Sequence, residues 1–121
     1  MENSFRRAQL SPMRRNALEA ILAPEMRPDR VGPRVTAMRE TLRLSKAELA
    51  DSIDLDRSSL TKIESGRMGL DLVKATRIAD LYGFGLNYFY RADLSDVPLD
   101  LRSRLLNELL IANALPTAEK T

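Results

Sequence analysis

The apolar positions between residues 46 and 65 constrain this chain more than any other feature. Leu49, Ala50, Ile53, Leu55, Leu60 and Ile63 fit two short helices that cross steeply. Ala50 lets the second helix approach the first, Leu55 plugs the turn, and Leu60 with Ile63 forms the underside of the second helix. Local signals set the ends. Ser45 and Glu48 make a capping box for a helix from Lys46 to about Ser52, and Asp54 is a turn residue that tolerates left-handed geometry. Asp56 caps the second helix, and Gly66 stops it. Arg57, Ser58, Thr61 and Lys62 are then left on a face that stands clear of the core.

The flanking sequence is also helical in pattern. From Arg34, Val35, Met38 and Leu42 mark one face of a first core helix. Another helix is capped by Asp71 and runs on Leu72, Ala75, Ile78 and Ala79 to Gly83. Gly85 then precedes a short turn holding Leu86, Tyr88 and Phe89. Tyr82, Phe84 and Phe89 interleave with aliphatics and are expected in the core, while Tyr88 and Tyr90 fit either core or surface. The segment "LSDVPLDLRSRLLNELLIANALP" offers Asp96 or Ser95 as a cap, Pro98 in the first turn, and a leucine-dense helix ending before Pro116.

Upstream, Ser11 and Pro12 open a helix on Ala17, Leu18, Ile21 and Leu22 that Pro24 stops. "PEMRPDRVGP" reads as a linker, because three prolines and a glycine oppose both helix and ladder. The expected organisation is a basic arm, helix and linker over 1–33, a helical domain over 34–92, and a C-terminal helix over 93–121.

Composition narrows the chemistry. With 121 residues the chain is long enough for one domain plus appendages. It has no cysteine and no histidine, which removes thiolate nucleophiles, disulfides, the usual zinc ligands and imidazole acid-base catalysis. The carboxylates are scattered, with Asp54 and Asp56 the only close couple, so no enzymatic activity, metal or cofactor is expected. No apolar run approaches the roughly 18 residues of a membrane span, and a soluble, cytoplasmic protein is expected. Net charge is only +2, but residues 1–46 hold ten Arg/Lys against five Asp/Glu. Such an asymmetry suits an anionic partner.

A short helix presented with Arg57 and Ser58 in its exposed first turn has the shape and donors to enter a DNA major groove. The run "RVTAMRETLRLSKAELADSIDLDRSSLTKIESG", followed by "IADLYGFG", resembles the lambda-repressor-like helix-turn-helix family, also called the Cro/CI or XRE type. The resemblance covers roughly residues 34 to 90. It implies an all-α fold with a five-helix DNA-binding domain, here extended by an N-terminal helix and a leucine-rich C-terminal helix.

By position, the resemblance implies that Arg57, Ser58, Thr61 and Lys62 face base edges. Arg57 suits guanine, because a guanidinium can bond O6 and N7 together. Lys46 takes the place of a common glutamine at the phosphate backbone, and Ser65 and Arg67 match a loop that touches the sugar-phosphate chain. Arg43 replaces a common glycine and would either meet a phosphate or cover apolar surface with its stem. Asp54 replaces the usual turn glycine. Asp56 puts a carboxylate towards the phosphates unless it accepts from a cytosine amino group. Arg39 and Glu64 are implied as a structural ion pair tying the first core helix to the recognition helix.

The C-terminal helix carries more leucines than one stripe can bury. A second subunit meeting Leu101, Leu105 and Leu109, or folding back on the N-terminal helix, would cover the excess. Arg6, Arg7, Arg14 and Arg15 form either an arm along DNA or a solvated tail. The expected function is a homodimeric, sequence-specific transcriptional regulator, a repressor of double-stranded DNA on an inverted repeat. The alternative is an antitoxin-type interaction module, with a toxin or polymerase as protein partner.

Overall fold

A computed structural model describes residues 24–114, so the expected N-terminal helix and the four arginines of the arm lie outside the described residues. Those described form six α-helices and two 3-10 turns, with no strand among them. The helices are α1 (Pro28–Thr41), α2 (Lys46–Ser52), α3 (Arg57–Glu64), α4 (Leu72–Tyr82), α5 (Leu86–Arg91) and α6 (Arg102–Ile111). The 3-10 turns Pro24–Met26 and Leu99–Leu101 precede α1 and α6.

Helix α1 is the central element, packing against α3, α5 and α6. Its inward residues therefore wrap well beyond one stripe, with Val31, Gly32, Arg34, Val35, Ala37, Met38, Arg39 and Thr41 all buried. Leu42, expected on the same face, is only partly buried against the core. The start of this helix differs from the sequence reading, because the expected linker forms the 3-10 turn Pro24–Met26 and then the opening of α1 through Pro33. Pro28 occupies the first turn, where a missing N–H costs nothing. Pro33 sits farther in and forfeits one backbone bond. Burial of Val31, Gly32 and Arg34 around it offsets that loss.

The caps explain the remaining boundaries. Glu48 N donates to Ser45 Oγ at 3.0 Å and Ser45 N to Glu48 Oε1 at 2.8 Å, closing the box at α2. Asp71 accepts from Lys74 N at 2.8 Å to open α4, which ends on left-handed Gly83. The residues after Gly85 form the six-residue helix α5 and not a turn. Asp96 is not the cap of the last helix, since its carboxylate accepts from Asn87 N at 3.0 Å and so caps α5 from a distance. A Cβ on Gly85 would fall 2.1 Å from that carboxylate, which is why the position has no side chain.

Helix α6 belongs to the same core. Leu105 and Leu109 are buried beside Val31, Met38, Phe84, Tyr88 and Phe89, with Leu101 partly buried against them. The expected dimer contacts Leu101, Leu105 and Leu109 are thus turned into their own chain, because α6 packs on α1 and uses that stripe to do so. Helix α1 runs across position 33/34, and the core holds residues from both sides of 92/93.

Candidate nucleic-acid interface

Helices α2 and α3 pack on one another through the residues that the apolar spacing marks. Leu49, Ala50, Ile53, Leu60 and Ile63 are all 2% exposed or less, and the turn between them is tightened by Leu55 N donating to Ala50 O at 2.9 Å. Asp54 holds φ at 56° and Arg43 at 58°, so both stand in left-handed positions that favour glycine. At Asp54, the Lys74 ammonium donates to the main-chain oxygen at 2.6 Å.

The seat of α3 on α1 is built from close approach and charge. A Cβ on Gly32 would lie 2.4 Å from Ile63 O and 2.8 Å from Glu64 O, so only glycine lets the helices meet there. Beside it, Arg39 Nε donates to Glu64 Oε2 at 2.9 Å, and Arg39 Nη1 donates to Leu44 O at 3.1 Å. Thr36 Oγ1 donates to Glu64 Oε1 at 3.0 Å, leaving few lone pairs of the carboxylate unused. The Glu64 bond is the main reason the Arg39 guanidinium is held protonated even more firmly than an ordinary arginine, against the opposing effect of burial. Gly66, at φ 81°, ends the segment against the first turn of α1.

On the far side of α3, Arg57, Ser58 and Lys62 are exposed and Thr61 is half-buried, all on one helical face. The Ser58 hydroxyl is already committed. It donates to Asp56 Oδ1 at 2.7 Å, which also accepts from Ser59 N at 2.7 Å, while Asp56 Oδ2 accepts from Ser59 Oγ at 3.0 Å. Hydrogen bonds from Ser58 and then Ser59 hold the Asp56 carboxyl below the usual carboxylate range. Asp56 is therefore a helix cap whose acceptors are largely used within α3, and Ser58 has only lone pairs to offer outward.

The residues expected at the phosphate backbone are dispersed around this helix. Lys46 opens α2 and is half-buried, Arg43 is exposed in the turn before it, and Ser65 and Arg67 are exposed after α3. Arg67 Nε donates to Ser65 Oγ at 3.0 Å, and Ser65 Oγ in turn to Lys62 O at 3.1 Å, so this pair forms a small fixed ledge. Among the described residues, no group of three His, Cys, Asp or Glu could hold a metal ion, and no helix is long and apolar enough to cross a membrane.

The sequence reading gave no role to Arg34. Its side chain is 2% exposed, with Nη1 donating to Glu25 O at 2.7 Å and Phe89 O at 2.8 Å, and Nη2 pairing with the Glu25 carboxylate. Burial lowers its affinity for the proton and Glu25 raises it, with burial the larger effect. Tyr88 returns a bond to the same turn, its hydroxyl donating to Arg34 O at 2.7 Å. Burial pushes that phenol far above the ordinary tyrosine range. Three of these acceptors are main-chain carbonyls, which leave no mark in a residue pattern.

No curated protein and no solved structure matched the chain. A family described as a helix-turn-helix domain matches residues 32–93, a span that begins in α1 and runs just past α5. With α2 and α3 packed on one another inside it, the chain belongs to this helix-turn-helix family, of the Cro/CI or XRE type.

Proposed function

We propose that the chain is a sequence-specific DNA-binding transcriptional regulator, acting as a repressor by occupying an inverted-repeat operator as a homodimer. The observation that carries this reading is the outward face of α3, where cations stand exposed while Leu60 and Ile63 anchor the helix from beneath. Arg57, in the first turn, reads guanine through paired bonds to O6 and N7, with Lys62 one turn further along and the Thr61 methyl available to thymine. Ser58 accepts and does not donate, given its bond to Asp56. Lys46, Arg43, Ser65 and Arg67 meet phosphates, setting register without reading sequence.

Two copies would place their α3 helices about 34 Å apart, one duplex turn, on a palindromic site. Binding alone performs the function, so the reading requires neither an enzymatic step nor a cofactor, and it places the protein in the cytoplasm at the nucleoid. Gel-shift titration against a library of genomic fragments, at two salt concentrations, tests it. A preferred site and a log-log salt slope of several units are expected. Equal affinity for every fragment with a flat salt response would defeat the proposal.

One observation favours a second reading. Leu99, Leu110 and Ile111 are strongly exposed around α6, as an interaction module of antitoxin type would require. Copurification of a stoichiometric protein partner that covers α6 would support that role beside DNA binding.

A further inference from the structure

The outer face of α6 is unpartnered among the described residues. Leu99 is 75% exposed, Leu110 60% and Ile111 73%, and an open groove beside them is lined by Asp100, Ser103, Arg104, Leu106, Asn107 and Leu110. Counting along the helix, Leu99, Ser103, Leu106 and Leu110 share one side, about a third of a turn round from the buried Leu105 and Leu109. We propose that residues 11–22 of the same chain occupy this face, running alongside α6. The inference is independent of the DNA reading.

Three observations carry it. The first is where the described chain begins. Arg104, near the start of α6, reaches the last residue of α1 through Nη1 donating to Thr41 O at 3.4 Å, so α6 lies back along α1. Ile111 is seven residues beyond Arg104, about 10 Å at the helical rise. The same rise back from Thr41 reaches Arg34, where Glu25 is clasped by the guanidinium. Residue 24 therefore enters the fold level with the last turn of α6.

The second is a match of length and pattern. A helix over residues 11–22, as their spacing predicts, would be about 18 Å long, and Leu99 to Ile111 spans about the same distance. Ala17, Leu18, Ile21 and Leu22 recur at the spacing of one apolar helical stripe. Running towards Pro24, that stripe sets Leu22 against Leu110 and Leu18 against Leu106.

The third is charge. In that register Glu19 comes within a turn of Arg104, while Arg14 stands level with Arg102 and equally near Asp100 and Arg104, so it is the Glu19 position that meets an opposite sign. Pairing α6 with the α6 of a second copy in antiparallel fashion, with Leu99 opposite Leu110, instead brings the two Arg104 side chains together near the two-fold axis.

The native chain has no cysteine, so engineered pairs report without background. Full-length L18C/L106C and, separately, I21C/I111C are oxidised mildly at several protein concentrations and resolved on non-reducing gels with intact-mass analysis. Circular dichroism establishes that each variant keeps the parent's helicity. L18C/V73C, which places the second thiol on α4, is the control. The proposal expects most molecules of both test pairs to form a disulfide within one chain, at a rate independent of concentration, with the control still reduced. Disulfides found only between copies would assign the face to a second subunit and overturn it. Failure of both pairs to cross-link, or equal cross-linking of the control, would overturn it too.

Discussion

Helices α3 and α6 share an inward plan and differ outward. Each rests on two aliphatics about one turn apart, Leu60 with Ile63 and Leu105 with Leu109, all 2% exposed or less. Outside, α3 carries Arg57, Ser58 and Lys62, whereas the α6 region carries Leu99, Leu110 and Ile111. The anchors decide that each helix docks, and the outer face decides what it can meet. A cationic face stays hydrated until phosphates displace it and release counterions. An apolar face gains about 25 cal/mol for every Å² it removes from water, and so favours another stretch of chain. One small core thus presents two surfaces with opposite requirements.

The sharpest way to break the α3 side is at its seat. Glu64→Ala takes the buried partner from the Arg39 guanidinium and leaves it only the exposed Glu40 at 3.0 Å and Leu44 O, so the cost should approach that of a broken buried pair, about 3–5 kcal/mol. Urea titration followed by circular dichroism should show that fall, with Glu64→Gln milder. A change below about 1 kcal/mol would make the pair incidental to the packing of α3 on α1.

Next in size are the anchors themselves. Leu60→Ala and Leu105→Ala should each cost about 2–5 kcal/mol by cavity formation. Similar values would establish that α6 is as much part of the folding unit as α3. A near-zero cost at Leu105 alone would detach α6 from the core and restore the boundary near residue 93.

How much of this was legible in the sequence differed between the same two regions. Around α3 the apolar spacing and the caps Ser45, Asp56 and Gly66 are local, so they stand next to what they determine. The partners of Arg39 and Glu64 were foreseen only through family resemblance, since no periodicity joins positions 25 residues apart. At the start of α1, prolines 28 and 33 looked like breakers because propensity acts locally, while burial of Val31 and Gly32 against distant chain does not. The bond from Arg34 to Phe89 O, 55 residues away, has no pattern at all. Leucine count revealed that α6 exists, but which leucines face inward depends on the angle at which it meets α1.

Outward changes should leave stability alone. Arg57→Ala is exposed and unpaired with the core, so its unfolding midpoint should stay within about 0.5 kcal/mol of the parent's stability. Specific DNA affinity should fall by about 1–3 kcal/mol, with tolerance gained at one operator position. Selection of binding sites by parent and variant from one random pool would show this. Identical site preferences would remove Arg57 from base reading and shift weight to Lys62.

Acid should separate the two helices by their first turns. Asp56 caps α3 with a carboxyl held low by Ser58 and Ser59, whereas α6 starts from Leu101 with no side-chain cap. A carboxyl depressed in the folded state stabilises above its unfolded value, about pH 4, and that contribution is lost as pH falls through the lower folded value. The urea midpoint should therefore drop in acid, Glu48 and Asp93 adding the same sign. Asp56→Asn keeps a competent cap but takes up no proton, so its acid limb should be shallower. An unchanged limb would mean that Asp56 contributes nothing beyond neutral capping.

The smallest effect isolates charge from backbone at the edge of the interface. Arg43 and Asp54 both sit at left-handed φ, and glycine relieves that conformation while gaining entropy when unfolded, for a net stabilisation of about 0.5–1 kcal/mol at each. In thermal melts Arg43→Gly and Asp54→Gly should therefore rise together. Their DNA binding should diverge, because the first removes a cation and the second an anion. Arg43→Gly should weaken all sequences alike and lower the salt slope by about 1, whereas Asp54→Gly should not. If both variants bind as the parent does, the Arg43 side chain serves the apolar surface beside it, and the proposed phosphate contacts begin at Lys46.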